Sequence, residues 1–321
     1  MSAGEGNVSS FRQTLVSLLG AWPQRVSLDA IVHERSALPD GVVRETVSYA
    51  VEPGERVPAY LFRPPSATTA QPQPAVFVHH QHAGQFDLGK SEPAGLAGNP
   101  DQACALELAQ RGYVVLAPDA LCFEERGDPD GRLTGRSYER FAYTTRVLQG
   151  SSLQTKYVWD QSRGVDYLQS RSEVDGGRIG AIGHSLGGQQ TLFLAALDER
   201  IGAAVASCGF ASYASILREG INHNFAAYVT DVLRHGDLGD VFACVAPRPF
   251  LILNGKEDRS FPVDGIEATH RQAREAYEQV GAADALELGL FDGGHAFPSD
   301  RRERAYAWLD RWLDRTGNAG I

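Results

Sequence analysis

Short apolar runs alternate with helical stretches along most of this chain, and this alternation limits the fold more than any other feature of the sequence. Most of the runs lack the polar alternation of a strand with one face in water. The runs lie at 75–78, 113–117, 178–182, 201–205, 249–253 and 285–291. Strands buried on both faces and separated by helices predict an α/β fold, a mostly parallel sheet with helices on both sides.

Two further segments, 42–51 and 57–63, read as strands near the start of the chain and bring the predicted sheet to about eight strands. We expect these first two strands to be antiparallel. Before them, Phe11 and Leu15 begin a helical apolar pattern. We therefore predict an N-terminal helical arm over residues 1–41, which packs on the rest of the protein or supports a homodimer.

The remainder, residues 42–321, is predicted to be one α/β domain interrupted by two insertions. The insertions span roughly 120–150 and 208–246, and each follows the carboxyl end of a predicted strand. Open α/β sheets bind ligands at that edge, so the insertions are candidates for a cap over the site. Four of their side chains are candidates to line a pocket, although for each one the sequence favours a place on the charged surface: Glu124, Arg126, Tyr143 and Arg146.

Charge and composition exclude several classes of partner. The net charge is -10 and the pI is about 5.4, which argues against binding to nucleic acid or an anionic membrane. No apolar stretch approaches the about 18 residues that a membrane span needs, and no secretory signal pattern is present, so we expect a cytoplasmic protein. The four cysteines form no CxxC pair and lie in apolar surroundings, which favours buried free thiols.

The pentapeptide Gly183-His184-Ser185-Leu186-Gly187 fits G-x-S-x-G. The motif is informative here because a predicted strand precedes it and a predicted helix follows it. A strand-to-helix turn of this kind exposes the serine and requires glycine where a Cβ would collide with backbone. Ser185 is therefore the predicted nucleophile.

A serine nucleophile needs a general base, and in this fold the triad follows the order Ser, Asp or Glu, His. His295 comes directly after the last predicted strand, in a glycine-rich loop. Asp258 and Glu257 follow the preceding strand, and we favour Asp258, with Asp292 as a weaker alternative. The acid would hold the tautomer of His295 and stabilise its protonated form.

Acyl transfer also needs N–H donors for the developing oxyanion. One is predicted to be the backbone N–H of Leu186, and the other to come from the loop after the strand 75–78, where we favour His82 and place Gln81 second. The histidines at 79, 80 and 82 raise the question of a metal site. We predict no metal, because no carboxylate or cysteine is spaced to complete a ligand set.

Several motifs together resemble the dienelactone hydrolase-like and acetyl-xylan-esterase-like branch of the α/β hydrolases. The resemblance covers roughly residues 45–315. The motifs that carry it lie at residues 80–82, 89–95, 111–119, 183–188, 246–249, 254–262 and 293–295. The resemblance implies a cofactor-free esterase or deacetylase that acts on small acyl esters or lactones, with Ser185, Asp258 and His295 at the positions of the family's triad. True dienelactone hydrolases use a cysteine nucleophile, so lactone specificity does not follow for a chain with Ser185.

The sequence thus predicts a serine hydrolase that cleaves a small-molecule ester through an acyl-enzyme. Three alternatives stay open. The first is a peptidase or amidase, because the same triad serves these enzymes. The second is an acyltransferase or a carbon–carbon bond hydrolase of a biosynthetic pathway. The third alternative is a catalytically silent binding protein, because a hydrolase fold alone does not fix an activity.

Overall fold

The structure is a computed structural model that describes residues 3–313, with side chains from residue 11 onward. Within these residues, nine strands form one sheet. The strands are β1 (Ile31–Ala37), β2 (Val43–Glu52), β3 (Glu55–Arg63), β4 (Gln73–His79), β5 (Val114–Pro118), β6 (Val174–His184), β7 (Ile201–Ser207), β8 (Phe250–Gly255) and β9 (Leu286–Phe291). Their order across the sheet is β1-β2-β3-β5-β4-β6-β7-β8-β9.

The sheet is antiparallel at one side and parallel over the rest. Strands β1, β2 and β3 pair antiparallel, and β3 also lies antiparallel to β5. All pairs from β5 through β4 to β9 are parallel. The prediction of an α/β fold with two antiparallel strands at 42–51 and 57–63 is confirmed.

The predicted number of eight strands was wrong, because β1 was missed. This strand lies within the segment 1–41, for which only a helix was predicted. Its sequence is Ile-Val-His-Glu-Arg-Ser-Ala, and most of its side chains are exposed. An edge strand with little buried surface needs no apolar pattern, so the sequence carried no signal for it.

Helices cover the sheet. They are α1 (Ala3–Leu19), α2 (Cys104–Gln110), α3 (Gly135–Leu148), α4 (Leu153–Ser170), α5 (Leu186–Leu197), α6 (Tyr213–Arg218), α7 (Leu238–Ala243), α8 (Val263–Gln279) and α9 (Ser299–Leu313). Almost every residue of helix α5 is buried, including the polar Gln189, Gln190 and Thr191. In α1, Leu15 and Leu19 are fully buried, so the N-terminal helix packs into the core. A homodimer through this arm stays a prediction.

The strand order places a crevice at the carboxyl ends of β4 and β6. The chain runs from β4 to β5 on one side and then returns past β4 to β6 on the other side. Loops that leave neighbouring strands in opposite directions open a crevice between them, where open α/β sheets bind ligands. The segment that begins at His80 follows β4, and Ser185 follows β6.

The two insertions add three helices, of 14, six and six residues. The segment 120–150 contains α3, and the segment 208–246 contains α6 and α7. In the part of the chain that the structure describes, no helix combines the length and the apolar character that crossing a membrane requires. All four cysteines are buried and free, as predicted.

Candidate active site

Ser185 occupies a strained turn between β6 and α5. Its φ is 57° and its ψ is -120°, a conformation that L-residues rarely adopt. A Cβ on Gly183 would lie 2.3 Å from the carbonyl carbon of Gly187, and a Cβ on Gly187 would lie 2.4 Å from the carbonyl oxygen of His79. The backbone N–H of Ser185 donates to the carbonyl of Ser207 at 2.9 Å. The surrounding backbone therefore fixes the strained serine, which is typical of functional positions.

His295 and Asp258 lie on the loops after β9 and β8 and contact each other directly. Nδ1 of His295 lies 2.8 Å from Oδ2 of Asp258, whose side chain is fully buried. The other carboxylate oxygen accepts the N–H of Ser260 at 2.8 Å. Burial opposes ionisation of this carboxyl, but the hydrogen bond and charge of His295 outweigh it, with help from Ser260, and hold the pKa of Asp258 below its usual range. Asp258 thus keeps a negative charge beside the imidazole.

The other candidate acids do not reach His295. Glu257 is exposed, and Asp292 accepts a hydrogen bond from Nζ of Lys256 at 2.7 Å. With Nδ1–H of His295 directed at Asp258, Nε2 is the ring atom left to accept a proton.

Ser185 and His295 line the same cavity, which has a volume of about 660 Å³. Residues from both insertions line it with them: Arg136, Glu139, Asn222, His223, Asn224, Phe225 and Tyr228. The remaining lining residues are His82, Ala83, Gly84, Leu186, Ser260 and Phe261. The site is therefore open to a small molecule and carries polar groups on several sides.

The ring of a second histidine, His184, packs against the ring of His295. The ring centroids of His184 and His295 lie 4.7 Å apart, and the ring of Phe297 stacks on His184 at 5.8 Å. Nδ1 of His184 lies 3.0 Å from Oγ of Ser207. Burial, together with the nearby His295, lowers the pKa of His184 to about 3. This ring is neutral at physiological pH and adds no positive charge beside His295.

The N–H groups of Leu186, His82 and Gln81 are the predicted oxyanion donors. Leu186 is the first residue of α5, whose N-terminal end favours negative charge. Within residues 3–313, none of these three N–H groups has a hydrogen-bond acceptor in the protein. Leu186 and His82 line the cavity, whereas the side chain of Gln81 donates to Glu92 at 3.0 Å outside it. The placement favours His82 over Gln81 as the second donor.

The three histidines at the end of β4 and in the loop after it contact different partners. Nδ1 of His79 lies 3.0 Å from Oγ1 of Thr191, and Nε2 of His80 accepts the N–H of Ala120 at 3.1 Å. His82 instead faces the cavity. Burial lowers the pKa of His79 to about 3 and that of His80 to about 4. In the described part of the chain, the groups of side chains close enough to share an ion do not include these histidines.

No cysteine competes with Ser185 in the described structure. Burial raises the pKa of Cys104, Cys122 and Cys208 to about 12 and that of Cys244 to about 11, so all four thiols are protonated at neutral pH. None of them lines the cavity. Cys208 comes nearest, because its Sγ lies within 4.8 Å of side-chain atoms of Asp258 and His295.

None of the four side chains that the sequence offered as pocket candidates lines the cavity of Ser185. Glu124 accepts a hydrogen bond from Nζ of Lys90 at 2.7 Å, Arg126 pairs with Asp160, and neither lines the cavity. Arg146 does not line it, and Tyr143 lines a separate pocket of about 220 Å³. The insertion 120–150 instead contributes Arg136 and Glu139, on the first turns of α3. These two residues reach the cavity through contacts between segments that are distant in the chain. No local sequence pattern indicates such contacts.

A sequence model of the dienelactone hydrolase family matches residues 57–316. This chain belongs to that family. The YtaP protein of Bacillus subtilis (strain 168) is 32% identical over 308 residues, which are 94% of this chain and 98% of YtaP. The family membership and the fold support a hydrolase.

Solved structures of esterases share the fold at low sequence identity. A glucuronoyl esterase from Solibacter usitatus has a TM-score of 0.71 and 18% identity, with 93% of this chain and 91% of that chain covered. An acetyl xylan esterase from Paenibacillus sp. R4 has a TM-score of 0.61 and 19% identity, with 96% and 95% covered. At these identities the likeness concerns the fold of this family member and not its substrate.

Proposed function

We propose that this member of the dienelactone hydrolase family is a serine esterase that hydrolyses small carboxylic esters through an acyl-enzyme. The observation that carries the proposal is the hydrogen bond between His295 and Asp258, with His295 lining the same cavity as the strained Ser185. These groups have the chemistry of a nucleophile, a general base and an orienting acid. The esterase names of the structural neighbours agree with this reaction class.

In the first half-reaction, Nε2 of His295 accepts the proton of the Ser185 hydroxyl while Oγ attacks the ester carbonyl. Asp258 holds Nδ1–H and stabilises the imidazolium. The carbonyl oxygen becomes an oxyanion, which accepts hydrogen bonds from the backbone N–H groups of Leu186 and His82. The alcohol leaves with the proton from His295, and the acyl group stays on Ser185.

In the second half-reaction, water attacks the acyl-enzyme and His295 accepts its proton. Collapse of the second oxyanion releases the acid and returns the proton to Oγ of Ser185. Every proton that moves passes through Nε2 of His295, so these steps use only side chains and backbone groups of this chain.

The cavity supports a small ester with polar groups in its alcohol or acyl part. Its volume of about 660 Å³ exceeds what an acetyl group fills, and Arg136, Asn222 and Asn224 line it together with Ser185. A substrate with hydroxyl or carbonyl groups would find hydrogen-bond partners on these side chains.

Hydrolysis of p-nitrophenyl acetate, butyrate and octanoate by the wild type and Ser185→Ala tests the proposal. We expect activity on the short esters and a loss of about 10³-fold or more in the variant, as for other triad nucleophiles. Ser66→Ala is the matched control because Ser66 is exposed and outside the cavity. A wild type inactive on all three esters, or a Ser185→Ala variant with full activity, would contradict the proposal.

A further inference from the structure

Glu139 is a buried carboxylate that connects two loops around the cavity. It lies in α3, within the insertion 120–150, and is 2% exposed. Its Oε1 accepts the backbone N–H of Phe225 at 3.2 Å. Its Oε2 lies 3.4 Å from Nε2 of His82, on the loop after β4. A single side chain thus joins the insertion 208–246 to the loop that carries the second predicted oxyanion donor.

The hydrogen bonds around His82 define its tautomer. The backbone N–H of Gly84 points at Nδ1 of His82 at 2.9 Å. A backbone N–H can only donate, so Nδ1 carries a lone pair and the ring proton lies on Nε2. Nε2–H therefore donates to Oε2 of Glu139. The carboxylate and the Gly84 amide together hold the imidazole from both of its nitrogen atoms.

Aromatic contacts restrict the same ring further. The ring of His82 meets the rings of Phe86 and Phe123 edge-on, at centroid distances of 4.9 Å and 5.1 Å. Polar and apolar contacts therefore hold the imidazole of His82 in a single orientation. The backbone of His82 is fixed with it, and its N–H is one of the groups without an acceptor among the described residues.

We propose that Glu139 is a positioning residue that acts through His82, holding the loop at 82–84 so that the backbone N–H of His82 faces the oxyanion. The inference rests on the proposed function, because an oxyanion forms only if the protein performs acyl transfer. It adds a role for the insertion 120–150, which carries Glu139. The contact between the two insertions and the position of the oxyanion donor then depend on the same side chain.

Kinetics of Glu139→Ala and Glu139→Gln on p-nitrophenyl acetate test this role. An oxyanion donor stabilises the transition state and not the bound ester, so we expect kcat to fall by about 10- to 100-fold in Glu139→Ala while KM changes less than about 3-fold. Glu139→Gln keeps an amide oxygen that can accept Nε2–H and should recover part of the loss. The control is Arg140→Ala, because Arg140 is the next residue on α3 and is exposed. A raised KM with unchanged kcat would overturn the proposal.

A double-mutant cycle separates this role from general support of the fold. His82→Ala keeps the backbone N–H but removes the imidazole through which Glu139 acts. We expect Glu139→Gln to have almost no further effect on kcat in the His82→Ala background. Losses that multiply in the double variant would show that Glu139 acts independently of His82, and would overturn the proposal.

Nitrogen NMR of the His82 ring provides a readout that needs no activity. We expect the tautomer with the proton on Nε2 in the wild type and in Glu139→Gln, and a mixture of tautomers in Glu139→Ala, which removes the acceptor of Nε2–H. A wild-type ring with its proton on Nδ1 would overturn the inference even if Ser185-dependent esterase activity is present. Absence of esterase activity with the expected tautomer would instead contradict the proposed function, so the two failures are distinguishable.

Discussion

The ring of His184 lies against the ring of His295, with 4.7 Å between the centroids. His184 precedes the nucleophile in the chain, so the residue that ends β6 also supports the general base of the proposed mechanism. Because its pKa is lowered to about 3, it is neutral wherever the proposed enzyme would act. The imidazolium of His295 therefore forms beside a neutral ring and an ionised Asp258.

From this arrangement we predict that the fall of kcat/KM on the acidic side of its pH profile follows the binding of a single proton. His295 must be unprotonated to act as a base, whereas His184 does not titrate above about pH 4. We expect His184→Phe, which keeps an aromatic ring on His295, to retain a one-proton limb at nearly the same pH. A two-proton limb in the wild type that becomes a one-proton limb in the variant would contradict this prediction.

Asp258→Asn should lower kcat/KM by about 10³- to 10⁴-fold, the scale known for triad acids replaced by their amides. The amide cannot stabilise the imidazolium, and its NH₂ group favours the wrong tautomer of His295. Glu257→Gln is the matched control because it makes the same chemical change at the adjacent exposed position. Steady-state kinetics on p-nitrophenyl acetate measures both variants, and equal losses in the two would refute the choice of acid.

Three buried histidines, His79, His80 and His184, predict a loss of stability in acid. Their pKa values in the folded protein are about 3 for His79 and His184 and about 4 for His80. The unfolded chain binds these protons near the ordinary histidine pKa of about 6.5, so it holds more protons than the folded chain below that pH. The free energy of unfolding should therefore fall as the pH falls from about 6.5 toward 4.

Urea unfolding at pH 7 and pH 5.5 measures this effect. We expect each buried histidine to contribute about 1 kcal/mol to the difference between the two pH values. His79→Gln should reduce the difference by that amount, since glutamine does not titrate. An unchanged difference in the variant would show that His79 is not held neutral by the fold.

The elements that carry the candidate triad could be predicted because their signals are local. A strand, a G-x-S-x-G turn and a helix are contiguous around Ser185, and Asp258 and His295 each follow a strand directly. The edge strand β1 gave no such signal because its side chains are mostly exposed. The contact of Glu139 with His82 spans 57 residues, so no local pattern can reveal it.

The turn at Ser185 predicts a strong effect from one added methyl group. A Cβ on Gly187 would lie 2.4 Å from the carbonyl oxygen of His79, and neither backbone can move without displacing β4 or α5. We expect Gly187→Ala to lower the free energy of unfolding by about 3 kcal/mol or more. Gly127→Ala is the control because its Cβ would meet nothing within 4 Å. Thermal and urea unfolding measure both variants, and equal stabilities would contradict the close approach.

The most direct test of the central claim is to locate the residue that reacts with p-nitrophenyl diethyl phosphate. In this reaction Oγ of an activated serine attacks phosphorus, p-nitrophenolate leaves and the serine proton passes to the base, so the diethyl phosphoryl group stays on the protein. Peptide mass spectrometry should find one such group per chain, on Ser185, together with loss of ester hydrolysis. An adduct on another residue, or full ester hydrolysis by a protein that carries the group on Ser185, would contradict the account.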